Sequence, residues 1–238
     1  MSEARQRGFH RTVTPNMPVM ERTPKIREQV WACYKATSKA HGRSRSWEHC
    51  FQYFRRSTPE ALLVDRHYAA LQLGFYLASW GMYRGSSFLL QHDYTIHIGV
   101  IRQIVLPPFS VLWRQEFGAG ENDVRLIPLI GDAIIAIRDA YRPFAPRAAT
   151  DTLVTKILLA TFGCLPACDR FFVQGFKSAD FKYSSVDSAF ISEVSRFCRG
   201  HIRELREVQR KIEDASGLRY PLMKLVDMYF HQAGVELG

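Results

Sequence analysis

The segment KILLATFGCLPACDRFF, residues 156–172, decides the fold. Ile157, Leu158, Leu159 and Ala160 follow one another with no charge between them, as in a helix that is buried all round, and Gly163 stops that helix. Pro166 suits a first helical position, so the chain is expected to restart there with Asp169 in the first turn, where a carboxylate complements the helix dipole. Helix, tight turn, helix is the unit.

Outward from it the same punctuation recurs. Thr150-Asp151 caps the buried helix, and Arg142-Pro143-Phe144-Ala145-Pro146 before it marks a lobe boundary near 142–149. From Glu121 to Tyr141, Leu126, Ile127, Ile130, Ile134, Ile135 and Ile137 share one side, with Pro128 in the early turns. Phe117-Gly118-Ala119-Gly120 is a loop, and Pro107-Pro108 ends an apolar helix over Tyr94–Leu106. Thr58-Pro59-Glu60 opens a helix that glycines alone interrupt from Ala61 to Gln91. Ser46-Trp47-Glu48 and Thr23-Pro24 start two earlier ones, the latter carrying Ile26, Val30, Cys33 and Tyr34 at helical spacing. Downstream, Ser184, Ser185 and Asp187 begin an amphipathic helix, and the last helix holds Leu222, Leu225, Val226 and Tyr229. There is no alternating strand pattern and no internal repeat. The expected fold is all-α: a compact, two-lobed helical domain over residues 23–238 behind a basic tail, residues 1–22.

Composition agrees. Across 238 residues, 47% are apolar and 23% charged, which supports a sizeable core and excludes a disordered chain. Lys plus Arg number 32 against 23 Asp plus Glu, a net +9 that favours polyanionic partners, DNA among them. No run approaches the roughly 18 apolar residues of a membrane span, and the start lacks the apolar block of a secretory signal, so a cytoplasmic protein with no membrane contact is expected. Five cysteines, an odd number, read as reduced thiols. Phosphate-binding glycine loops, dinucleotide fingerprints and serine elbows are missing, and no cofactor or metal is expected.

Two segments depart from ordinary helix composition. In FYLASWGMYRGSSFLLQ, residues 75–91, apolar residues surround the helix and polar ones sit among them. A buried Arg84 there needs a carboxylate, carbonyls or a phosphate. Gly81 and Gly85 share a face open to close approach, Trp80, Arg84 and Ser87 share another, and Tyr83 aligns with Ser87. With Gln91, these are types that could read and stack a base; the bland alternative is helix packing with Arg84 in an internal ion pair. The second segment is residues 156–172, where Asp169 stands alone among Phe162, Leu165, Phe171 and Phe172, beside Arg170.

Buried Lys156, a glycine turn, then Pro166 and Asp169 resemble the catalytic region of the helix-hairpin-helix DNA glycosylase superfamily, without the Gly-x-Gly of its hairpin. FYLASWGMYRGSSFLLQ and FGCLPACDRFF also look like a bacterial family. In size and type the chain is similar to a glycosylase acting on glucosylated hydroxymethylcytosine in phage DNA. The resemblance implies an anti-phage enzyme that excises a flipped, modified base, with Asp169 as its essential anion. Trp80, Tyr83, Arg84, Ser87, Gln91, Lys156 and Arg170 would then contact the substrate.

DNA backbone contacts would fall to Arg196, Arg199, Arg203, Arg206, Arg210 and Lys211, with Arg5, Arg7 and Arg11 as an arm. The interspersed Glu204, Glu207 and Glu213 instead favour a self-paired, solvated face. Cys164, Cys168, Cys198 and His201 offer zinc-ligand types at unusual spacing, and buried structural thiols are the expectation. His92 and His97 read as surface histidines, and the Arg5–His10 pair of the tail as unrelated to ribonuclease chemistry. The alternatives are a non-enzymatic helical module binding nucleic acid or protein, and a helical nuclease or toxin.

Overall fold

The computed structural model describes residues 25–120, 122–145 and 147–238. Thr23, Pro24, and the tail with Arg5, Arg7, His10 and Arg11 lie outside the described residues. Among the described residues there are twelve α-helices and no strand, and the fold is all-α. No single described helix is long and apolar enough to cross a membrane.

Helix α1 (Ile26–Thr37) buries Ile26, Val30, Cys33 and Tyr34, one stripe at helical spacing. Helix α2 (Arg45–Arg56) turns Trp47, Cys50, Phe51 and Phe54 inward. Thr58 caps α3 (Pro59–Val64), its Oγ1 accepting the Ala61 amide at 3.2 Å. The helix expected to run on to Gln91 does not. It breaks at Asp65, resumes as α4 (Arg66–Ser79) and ends at Trp80. Gly81 and Gly85 have φ of +74° and +60°, left-handed values that make them turn residues. The apolar residues after them anchor a loop: Leu89 is buried and Phe88 packs edge-on against Tyr141 at 5.4 Å.

Helices α5 (Ile98–Ile104) and α6 (Ser110–Arg114) flank the Pro107-Pro108 turn. Helix α7 (Asp123–Tyr141) holds Pro128 within it and buries Leu126, Ile130, Ile134 and Ile137; Ile135, displaced around the helix, is exposed. Thr150 caps α8 (Asp151–Thr161), whose residues are buried without exception from Leu153 onward. Gly163, at φ +70°, ends it where a Cβ would strike Pro221 and Phe51. Pro166 does not restart the helix. The chain stays non-helical through Asp169, which lies outside the first turn as the N-cap of α9 (Arg170–Ser178). Asp187 caps α10 (Ser188–Gly200), and α11 (Ile202–Ser216) and α12 (Leu222–Val235) complete the chain.

Two glycines set the α9–α12 crossing. A Cβ at Gly175 would fall inside contact distance of the Phe230 carbonyl and 2.9 Å from the Gly234 nitrogen; one at Gly234 would meet the Phe171 backbone, its carbonyl carbon at 2.7 Å. Such closeness lets Phe172, Phe176 and Phe230 pack ring to ring at 5.0–5.6 Å. The apolar core is continuous from α1 to α12, including residues on both sides of 142–149. The crossing fixes the start of α9 beside the middle of α12, and that is where the polar side chains collect.

Candidate functional site

A cleft opens where α1, α2, α4, α8 and α12 converge on the residues leading into α9. Out to its mouth it spans about 610 Å3, but the cavity within it is only about 50 Å3. Its walls are aromatic, Trp47, Tyr76 and Trp80, and its polar groups are Lys156, Asp169, Lys224, Asp227 and His231, with Glu48 behind.

Asp169 is the centre of the arrangement. As an N-cap its Oδ1 accepts the Phe172 amide at 3.1 Å. The Lys156 ammonium lies 3.6 Å from Oδ2 and the His231 Nδ1 lies 3.5 Å from Oδ1. Its side chain stays 21% exposed, so it is paired yet reachable. Burial works to raise its pKa, but the His231 hydrogen bond, the Lys156 charge and the Phe172 amide together hold it well below the ordinary carboxylate range. It is an anion, and a weak base.

Lys156 has a side chain 4% exposed in the buried stretch of α8, and burial lowers its pKa against the pull of Asp169 and Asp227. A second pair lies beside the first: Lys224 Nζ is 2.7 Å from Asp227 Oδ2, and Asp227 Oδ1 accepts the Ala167 amide at 3.1 Å. That bond ties α12 to the segment carrying Asp169. The Trp80 indole faces both ammonium groups, Lys156 at 4.8 Å and Lys224 at 5.7 Å, with the exposed Arg43 guanidinium at 5.4 Å. Trp80 Nε1 is buried and has no hydrogen-bond partner among the described residues. Glu48 accepts the Tyr220 hydroxyl at 2.5 Å and pairs with Arg45 at 3.1 Å, which keeps it structural.

Of the residues singled out from sequence, the structure brings Asp169, Lys156 and Trp80 together. The face shared by Trp80, Arg84 and Ser87 does not exist, because α4 ends before it. Arg84 is exposed rather than buried, and its side chain lies over Gly81. Ser87 caps a 3-10 turn by accepting the Leu89 amide at 3.3 Å, and Gln91 is exposed at the end of that turn. Tyr83 points elsewhere: its hydroxyl meets His97 Nε2 at 2.7 Å, and His97 Nδ1 meets the Tyr141 hydroxyl at 2.6 Å. His97 is therefore fully buried, not a surface histidine, and burial lowers its pKa to about 3, which keeps it neutral. Arg170 is exposed and lies over the Phe171 ring at 4.6 Å, outside the cleft.

The basic residues of α10 and α11 divide. Arg199 and Arg210 are exposed, and Lys211 is exposed with its ammonium 4.1 Å from the Trp31 ring. Arg196 pairs with Glu193 and Arg203 with Glu207, both on the surface. Arg206 is tied to Glu116 at 2.6 Å, and Glu116 also takes Gln209 and the Leu222 amide; it braces α11 against α12 rather than facing a ligand. All five cysteines are free and buried, and burial raises the thiols of Cys164, Cys168 and Cys198. Among the described residues no group of three or more His, Cys, Asp and Glu is placed to hold a metal ion.

Sequence reasoning missed Lys224, Asp227 and His231. Their signal was in MKLVDMYFH, residues 223–231: polar residues at i, i+3 and i+7 inside an otherwise apolar helix, one polar stripe turned toward the core. Comparison with models of protein families, with curated proteins and with solved structures found no match to this chain.

Proposed function

We propose that the chain is a DNA glycosylase that hydrolyses the N-glycosidic bond of a flipped, modified base. The observation that carries this reading is an ionised carboxylate, Asp169, standing at the reachable end of an aromatic cleft with cations behind it. As the C1′–N bond breaks, its electron pair leaves with the base and positive charge grows on the sugar. A fixed anion near C1′ stabilises that charge, and water then supplies oxygen to C1′, one proton going to the departing base and the other remaining on the new hydroxyl. Because Asp169 is a weak base, its part is electrostatic rather than proton abstraction. Lys156 and the Phe172 amide hold the carboxylate in place and charged.

Entry of a base requires more room than the cleft offers at rest. Trp80, at the end of α4 and followed by the left-handed Gly81, is the wall that moves, and its indole then stacks on the base in place of the ammonium groups. Arg43, over the Trp80 ring, and the exposed Arg199 and Arg210 supply contacts to phosphates.

The test is release of free base, followed by mass spectrometry, from duplex and single-stranded DNA carrying a panel of altered bases that includes glucosylated hydroxymethylcytosine. Asp169→Asn retains an N-cap for α9, so the variant folds, and it loses about 10²–10³-fold in rate. No free base from any substrate would end the proposal. DNA bound without product points instead to a non-enzymatic binding module, a reading favoured by the way Lys156–Asp169 and Lys224–Asp227 pair internally.

A further inference from the structure

Far along the chain from the cleft residues of α12, a second hollow lies between the last turns of α7 and the segment that leads into α8. Out to its open mouth it spans about 780 Å3, and its lining shares no residue with the cleft. Ile135, Ala145, Ala148 and Ala149 make its apolar part, and Arg138, Arg142 and Arg147 converge on it, with Asp139 the one acid in its lining among the described residues.

The three guanidinium groups are held differently. Arg138 is fixed: its Nη2 donates to Asp151 Oδ1 at 2.5 Å, and the other Asp151 oxygen is taken by the Tyr183 hydroxyl at 3.0 Å and the Val186 amide at 3.1 Å. Asp151 is thus used up behind Arg138, whose Nε is buried without a hydrogen-bond partner among the described residues, so the free edge of that guanidinium is what can face the hollow. Arg142 pairs with Asp139 but is 79% exposed, free to turn inward. Arg147 is exposed and has no ion pair among the described residues. A hydrogen bond from Ala145 to the Tyr141 carbonyl, 3.0 Å, folds the chain so that Arg142 and Arg147 stand on the same hollow.

We infer that this hollow binds a phosphate group. One planar fork matches a carboxylate; three forks around one small apolar floor offer more donors than a carboxylate can accept, whereas the oxygens of a phosphate can take one fork each. The inference does not depend on glycosylase activity, since it concerns another surface and its readout is binding.

The test titrates inorganic phosphate into the full chain by calorimetry at constant ionic strength, with acetate as the comparison anion. Arg142→Ala/Arg147→Ala is the variant, because both side chains are exposed and the Arg138–Asp151 bridge stays intact. Phosphate is expected to bind, acetate not, and the double substitution to weaken phosphate by about tenfold or more. A parallel titration with an unmodified DNA duplex identifies the source. Duplex affinity that falls in the variant assigns the phosphate to a nucleic-acid backbone, and duplex affinity that is unchanged assigns it to a small phosphate ester. Absence of phosphate binding, binding equal to that of acetate, or binding untouched by the double substitution overturns the inference.

Discussion

Replacing Gly175 by alanine pits two effects of opposite sign against each other. In a helix interior alanine is better than glycine by about 1 kcal/mol, so propensity alone makes Gly175→Ala stabilising. The added methyl, however, would sit 2.9 Å from the Gly234 nitrogen and closer still to the Phe230 carbonyl, backbone atoms that cannot rotate away. Restoring ordinary contact of about 3.5 Å pushes α9 from α12 by on the order of 1 Å and loosens the Phe172, Phe176 and Phe230 cluster. Overpacking of this kind costs up to about 3 kcal/mol, leaving the variant about 2 kcal/mol less stable, a fall in Tm of about 4–8 °C. Gly131, on α7, is the control: nothing lies within 4 Å of its added Cβ, so Gly131→Ala should raise Tm by about 2–4 °C through propensity alone. Thermal unfolding followed by circular dichroism reads both. A Gly175→Ala protein as stable as the parent would refute the claim that backbone contact at this crossing sets the geometry.

The remaining expectations concern charge and the buried hydroxyls. Asp169 has a folded pKa below its ordinary value, so the stability it contributes is present above about pH 4 and is lost as pH falls below that; urea unfolding should show less acid sensitivity in Asp169→Asn. Lys156 has its pKa lowered, so between its folded and unfolded values the unfolded chain binds more protons and stability rises with pH toward 10.5; that slope should vanish in Lys156→Met. His97→Phe leaves the Tyr141 hydroxyl buried without a partner and should cost about 2 kcal/mol in chemical denaturation. Arg84→Ala, on an exposed side chain with no ion pair among the described residues, should change stability by less than about 0.5 kcal/mol and leave base release untouched.

What could be read in advance followed the physics of each signal. Apolar spacing is local, and the stripe of α1 and the burial of α8 came through, as did Thr58 and Thr150 as caps; the helix expected to begin over Ser184, Ser185 and Asp187 starts at Ser188, with Asp187 capping it. Asp169 was legible as a carboxylate at a helix start, though expected inside the first turn rather than at the N-cap, because Pro166 lies in an extended connection rather than at N1. The stretch after Ser79 misled because a loop pinned by Leu89 and Phe88 has the same apolar composition as a buried helix. Only a left-handed φ at Gly81 tells them apart, and composition does not carry dihedral angles. The pairing of Asp169 with His231, and the tie from Asp227 to Ala167, span some sixty positions and depend on how closely α9 and α12 approach. That approach depends on Gly175 and Gly234, whose meaning emerges only once each has the other's helix beside it.

The sealed thiols make the molecule its own clock. Cys33 lies on α1 in the wall of the cleft, Cys50 on α2, Cys164 and Cys168 between α8 and α9, and Cys198 on α10, all of them buried. A thiol-reactive dye added to the native protein would therefore record the moments when each neighbourhood comes loose, and the sequence in which the five sites label would give the order in which the structure opens.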